Sequence, residues 1–87
     1  MQVAVELFGV VRARAGVAQT TSAGECLGDV LADLERRFPA LAESCIDGRR
    51  LRGSFTANLG GRQFVTAPET PLREGEPVLL LSLDAGG

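Results

Sequence analysis

Between residues 27 and 38, Leu27, Val30, Leu31, Leu34 and Phe38 recur at i, i+3, i+4, i+7 and i+11, while Asp29, Asp33, Glu35, Arg36 and Arg37 fill the opposite face. That spacing predicts an amphipathic helix, the best-defined one in the chain. Acidic residues come early and Arg36-Arg37 late, as the helix dipole favours. Pro39 ends the helix, because a proline disfavours α geometry at the residue before it. Gly28, near the start, costs up to about 1 kcal/mol relative to Ala if it is fully helical. A lone helix with one apolar stripe needs a partner surface, and the rest of the chain must supply it.

That surface reads as strands. From Gln2 to Phe8 the residues alternate, with Val3, Val5 and Leu7 on one side and Gln2, Ala4, Glu6 and Phe8 on the other. Phe8 is therefore either covered by the next loop or left available to a partner. Arg12 to Gly16 carries no strong pattern, and the weak alternation of Val17 to Ser22 suits a second strand in a hairpin with the first. In Ala40 to Gly53, Leu41 and Ile46 can anchor the segment and Asp47-Gly48 marks a turn. Arg49, Arg50 and Arg52 form a short basic cluster there, either a solvated loop or a docking patch whose guanidinium forks suit phosphate and carboxylate. Phe55 to Leu59 and Arg62 to Thr66 flank Gly60-Gly61, a two-residue hairpin signature. A turn through Arg73-Glu74-Gly75-Glu76 leads past Pro77 to a last strand, Val78 to Leu83. Its near-continuous apolar character suggests mid-sheet, covered on both faces or nearly so.

The resulting class is α+β, a mixed sheet of about four to five strands packed on one main helix. If the first and last strands lie centrally and in parallel, the topology is the ubiquitin-like β-grasp. Eighty-seven residues support one core and one domain, 1–87.

Composition removes several function classes. The longest apolar run, Val78 to Leu81, is far short of the roughly 20 residues of a membrane helix, and Met1-Gln2-Val3 opens no secretory signal. We therefore expect a cytoplasmic protein with no membrane partner. Cys26 and Cys45 lack the paired spacing of a zinc site and no His complements them, so we expect two half-buried thiols and no metal. All nine cations are Arg, Lys is absent and net charge is −2, which makes nucleic acid an unobvious partner. Without His or Lys there is no imidazole base, Schiff-base lysine or P-loop lysine. We do not expect an enzyme in its own right.

The remaining chemistry is at the end of the sequence, Asp84-Ala85-Gly86-Gly87, which we expect to be a flexible tail with nothing following it. A glycine pair has no side chains and can extend through a narrow channel to present a terminal carboxylate. A carboxylate is a poor electrophile and needs activation, commonly as an acyl-adenylate, with ATP held by a partner. Taken alone, such a tail is equally the composition of a frayed end.

The tail comes with a wider pattern, however. Leu7-Phe8 followed by Val11-Arg12 and Gly16, the helix Leu27-Gly28-Asp29-Val30-Leu31 through Leu34 to Phe38-Pro39, and Leu72-Arg73-Glu74-Gly75-Glu76-Pro77-Val78 before Gly86-Gly87 together resemble the ubiquitin-like sulfur carriers. These form the MoaD/ThiS family, the molybdopterin synthase small subunit and the thiamine sulfur carrier. The resemblance implies a β-grasp domain whose Gly87 carboxylate, with Gly86 beside it, is adenylated by an enzyme of the ubiquitin-activating type and converted to a thiocarboxylate. It implies no cofactor on the chain itself, a sulfur donor protein, and a sulfur-accepting synthase. The length of the Ala40 to Gly53 insertion favours the molybdopterin branch, hence the molybdopterin synthase large subunit as acceptor. The molybdopterin type often has a proline before its last residues, where this chain has Leu81-Ser82-Leu83-Asp84-Ala85. Carriers for cysteine, thiamine or specialised-metabolite synthesis, and protein modifiers, share the frame. We expect the partner surface to comprise Leu81, Leu83, Asp84 and Ala85 with Phe8 and Phe64, because affinity usually rests on a few buried anchors. Asp84 either positions the tail for a partner or is an ordinary solvated charge.

Overall fold

A computed structural model describes residues 1–83. The elements run β1 (Gln2–Leu7), α1 (Gly9–Ala15), β2 (Gln19–Ala23), α2 (Leu27–Arg37), α3 (Ala40–Ser44), β3 (Ile46–Asp47), β4 (Arg50–Leu51), β5 (Phe55–Leu59), β6 (Gln63–Val65) and β7 (Val78–Ser82). Five strands form one sheet in the order β2-β1-β7-β5-β6, and β3 and β4 make a separate small hairpin. β1 and β7 are parallel, with Val5 opposite Val78 and Leu7 opposite Leu80, whereas β2, β5 and β6 join antiparallel. A mixed sheet with parallel first and last strands at its centre and a helix across one face is the β-grasp arrangement expected from the sequence.

The alternation of β1 decides which face is buried. Val3, Val5 and Leu7 point inward, as do Val78 and Leu80 of β7 and Ala57 and Leu59 of β5. They meet Leu27, Val30, Leu31 and Leu34 of α2, all fully buried, with Leu41, Cys45 and Ile46 closing the end of the core. Helix α2 has no side-chain cap at Cys26. Its first amides instead donate to the following loop, Leu27 N–H to the Thr70 carbonyl at 2.9 Å and Gly28 N–H to that of Pro68 at 2.7 Å, satisfying donors a helix start leaves orphaned. At its other end Asp33 accepts from Ser22 Oγ (2.9 Å) and pairs with Arg37 (3.1 Å), while Arg37 donates to the Thr21 carbonyl (2.7 Å). The helix is thereby fixed to β2, an edge strand.

Several segments differ from the sequence expectation. The unpatterned stretch after β1 is helix α1, whose only buried residue is Val11, so it displays no apolar stripe; Gly16 ends it in the left-handed region (φ 82°). Ala40 to Ser44, to which the sequence assigned no element, is a further short helix, while the Asp47-Gly48 turn is borne out between β3 and β4. Gly60 and Gly61 both take positive φ as a tight hairpin requires. The ladder closes with Leu59 opposite Gln63, so three residues connect the strands instead of two. β7 is central, fully covered on one face and partly on the other: Val78, Leu80 and Ser82 are buried and Leu79 and Leu81 half-buried. Cys45 is fully buried and Cys26 half-buried, both as free thiols. No described helix is long and apolar enough to cross a membrane.

Arg49 anchors the small hairpin to α2 by a 3.0 Å pair with Asp29. The Asp29 carboxyl is held below its ordinary range, first by the Glu25 backbone N–H (3.0 Å) and then by Arg49. A carboxyl with a lowered folded-state pKa stabilises the fold fully above its unfolded value, about 3.9, and loses that contribution as pH falls through the folded value. Asp29→Asn should therefore lower the urea midpoint at neutral pH and narrow its gap to wild type below about pH 4; a parallel decline of both proteins through that range would contradict the assignment.

Candidate functional site at the end of the central strand

Strand β7 is the rigid base of the expected site. It is hydrogen-bonded on both sides, to β1 and to β5, and its neighbours extend the ladder at the exit. Phe8 N–H donates to the Leu80 carbonyl at 3.1 Å, and Leu83 N–H to the Ser54 carbonyl at 2.7 Å. Leu83 is therefore fixed in its backbone while its side chain is 63% exposed. The next four residues in sequence, Asp84, Ala85, Gly86 and Gly87, lie outside the described residues.

Register places the expected partner residues. On the outer face, one row across the sheet runs Glu6, Leu79, Asn58, Phe64, and the next pairs Leu81 with Thr56. Leu81 is half-buried and Phe64 67% exposed on this face. Leu79 lies in the row of Phe64, with Asn58 between them, and was absent from the expected surface, which was drawn from apolar residues near the tail. Phe8, 42% exposed, keeps an extended backbone (φ −126°, ψ 155°) before α1, and the following turn leaves it uncovered. Leu83 and Phe8 thus flank the end of the central pair, while Phe64 lies two strands from β7.

The outer face contains one polar group out of balance. Asn58 is 7% exposed and its Oδ1 has no hydrogen-bond partner among the described residues. Such an acceptor costs about 1–3 kcal/mol. Asn58→Val, which suits a strand, should raise stability by about 1 kcal/mol, or about 4–8 °C in melting temperature; an unchanged or lower melting temperature would show that the amide is satisfied.

The basic cluster is divided. Arg49 is committed to Asp29 and Arg52 donates to the Ala42 carbonyl at 2.7 Å, whereas the Arg50 side chain makes no hydrogen bond or ion pair among the described residues. Among the described residues no group of three His, Cys, Asp or Glu side chains could hold a metal ion.

No protein-family model and no curated protein sequence matches the chain. Solved structures do. The small archaeal modifier protein 1 from Methanosarcina acetivorans is 28% identical, with 99% of this chain and 96% of that one covered at a TM-score of 0.77. This is a ubiquitin-like β-grasp protein. CysO in the Amycolatopsis orientalis BexX/CysO complex matches over 98% of this chain and 99% of that one, at 18% identity and a TM-score of 0.78. A Pyrococcus furiosus protein assigned as molybdopterin converting factor, subunit 1, matches over 94% and 97%, at 18% identity and a TM-score of 0.74. At such identities these two matches carry the fold. The resemblance drawn from the sequence to the ubiquitin-like sulfur carriers is borne out, and the neighbours span modifiers and carriers without separating one pathway from another.

Proposed function

We propose that this ubiquitin-like domain is a sulfur carrier that presents the Gly87 carboxylate to partner enzymes. One observation carries the reading: the strand leading to Gly86-Gly87 is the central one, held by β1 and Phe8 as far as Leu80 and by β5 and Ser54 as far as Leu83. A rigid domain thus carries a tail whose last two residues have no side chain. The carboxylate oxygen attacks the α-phosphorus of an ATP bound by an adenylating enzyme of the ubiquitin-activating type, and pyrophosphate leaves. A persulfide on a donor protein then attacks the acyl carbon, a C–S bond forms and AMP departs with the oxygen; a second thiol attacks the donor's sulfur, the S–S bond breaks, and the thiocarboxylate is released as the donor and that thiol form a disulfide. This chain contributes the acyl group and the surface by which partners hold it, Leu83, Phe8 and Leu81 being the apolar contacts nearest the exit. It works in the cytoplasm and binds no cofactor of its own.

Of the acceptors, the molybdopterin synthase large subunit is the first to test, on the strength of the Ala40 to Gly53 insertion and the similarity to a molybdopterin converting factor subunit. Thiocarboxylated protein mixed with that subunit and its precursor substrate should lose its added sulfur, a return of about 16 Da in intact mass. A thiocarboxylate stable in that mixture, yet discharged by a cysteine- or thiazole-forming synthase, would move the chain to another pathway.

Protein modification is a second reading, favoured by the 28% identity to a small archaeal modifier protein. The activated acyl group would then pass to a lysine of a target. Having no Lys, this chain cannot build lysine-linked chains on itself, and conjugates would be single attachments visible as Gly87 isopeptides in tryptic digests.

A further inference from the structure

A groove of about 470 Å³ runs beside the exit of β7, and the tail chemistry leaves it unused. The hairpin side contributes Arg50 and Arg52, the opposite side Pro68 and Glu69, and Phe55 and Leu83 supply apolar surface. Both sides are fixed to the first turn of α2. Arg49 reaches Asp29 from the hairpin, and Gly28 N–H donates to the Pro68 carbonyl. Gly28 leaves the room for this: a Cβ there would stand 2.9 Å from Arg49 Nη2 and 3.1 Å from Pro68 Cβ. The groove is therefore preformed, which reduces the ordering cost of filling it.

Its charge is opposite in sign to that of the chain. Two guanidinium groups face one carboxylate, in a protein of net charge −2. The Arg50 guanidinium has no partner among the described residues, and Arg52 has one nitrogen on the Ala42 carbonyl. Next to these cations Leu83 is largely exposed. Such a lining suits a peptide segment with an apolar side chain and a neighbouring carboxylate, since guanidinium forks match carboxylate geometry.

We propose that the adenylating enzyme docks an acidic segment with an apolar anchor in this groove, its carboxylate on Arg50 and Arg52 and its anchor against Leu83. The inference rests on the sulfur-carrier reading. Four residues of chain reach at most about 14 Å, so an enzyme acting on Gly87 works within that distance of Leu83, which itself lines the groove.

The test is ATP–pyrophosphate exchange by the organism's own adenylating enzyme with the full chain as varied substrate. Arg50→Glu should raise the KM for the chain by about tenfold or more, keep kcat within about twofold, and flatten the salt dependence. Its melting temperature should fall by no more than a few degrees, because the Arg50 side chain bonds nothing among the described residues and the new Glu only adds a like charge opposite Asp47 in an exposed hairpin. Arg14→Glu, on the exposed side of α1, should leave all these values unchanged. An unaltered KM for Arg50→Glu overturns the inference. So does normal exchange combined with slowed delivery to the synthase, which would assign the groove to the acceptor. Absence of exchange with the wild-type chain and a demonstrably active enzyme would fall on the carrier reading itself and take the inference with it.

Discussion

Deleting Gly86 and Gly87 should abolish sulfur loading and leave stability within about 0.5 kcal/mol of wild type. The two effects separate because the chemistry and the packing lie in different parts of the chain. Every core residue identified lies at or before Leu80, and the Leu83 N–H to Ser54 bond is the last described link of β7 to its neighbours. The carboxylate, in contrast, has no substitute: truncation leaves Ala85 as the terminus, short by two residues and bearing a Cβ where a narrow channel must admit it. Intact mass after the loading reaction, together with a thermal melt, checks both halves. Loading of the truncated chain at the wild-type rate would show that the tail is inert. A large drop in melting temperature would show that the last two residues belong to the folded core.

Leu80→Ala should cost about 2–5 kcal/mol, at least about 8 °C in melting temperature for a domain of this size. Leu80 is fully buried on the inner face of the central strand, opposite Leu7 on one side and Ala57 on the other. Its truncation leaves a cavity where sheet and α2 meet, and rigid neighbours on both sides limit collapse. Leu83→Ala, three residues on and 63% exposed, should change stability by less than about 0.5 kcal/mol. Equal losses for the two variants would contradict the division of this strand into a structural part and a presenting part. Because β7 is also the base of the tail, Leu80→Ala should slow loading only as far as it unfolds the domain.

What could be read in the sequence followed from periodicity long enough to register. Five apolar positions over three turns made α2 legible, and strict alternation made β1 legible. The central place of β7 was legible from its apolar run, but its coverage was not. Leu79 and Leu81 are half-buried beside Glu6, Thr56 and Asn58, and a run of four leucine and valine residues does not reveal what stands beside it. Helix α1 buries only Val11, and α3 has five residues. Neither is long or amphipathic enough to leave a stripe. Gly28 reads locally as a helix defect; its reason is the Arg49 guanidinium and Pro68, distant in sequence and joined only by the fold. The same holds for the basic cluster, whose three arginines look equivalent in sequence and divide in structure into an anchor, a partly committed residue and one whose side chain bonds nothing among the described residues. At the site, the glycine pair was legible because its chemistry depends on what it lacks.

The central claim is tested most directly by intact mass of the full chain after incubation with ATP, the adenylating enzyme and a sulfur donor. The account predicts a gain of about 16 Da, oxygen replaced by sulfur, that fragmentation places on Gly87 and that disappears when ATP is omitted. An unchanged mass, with an enzyme and donor that load another carrier in the same tube, would contradict it.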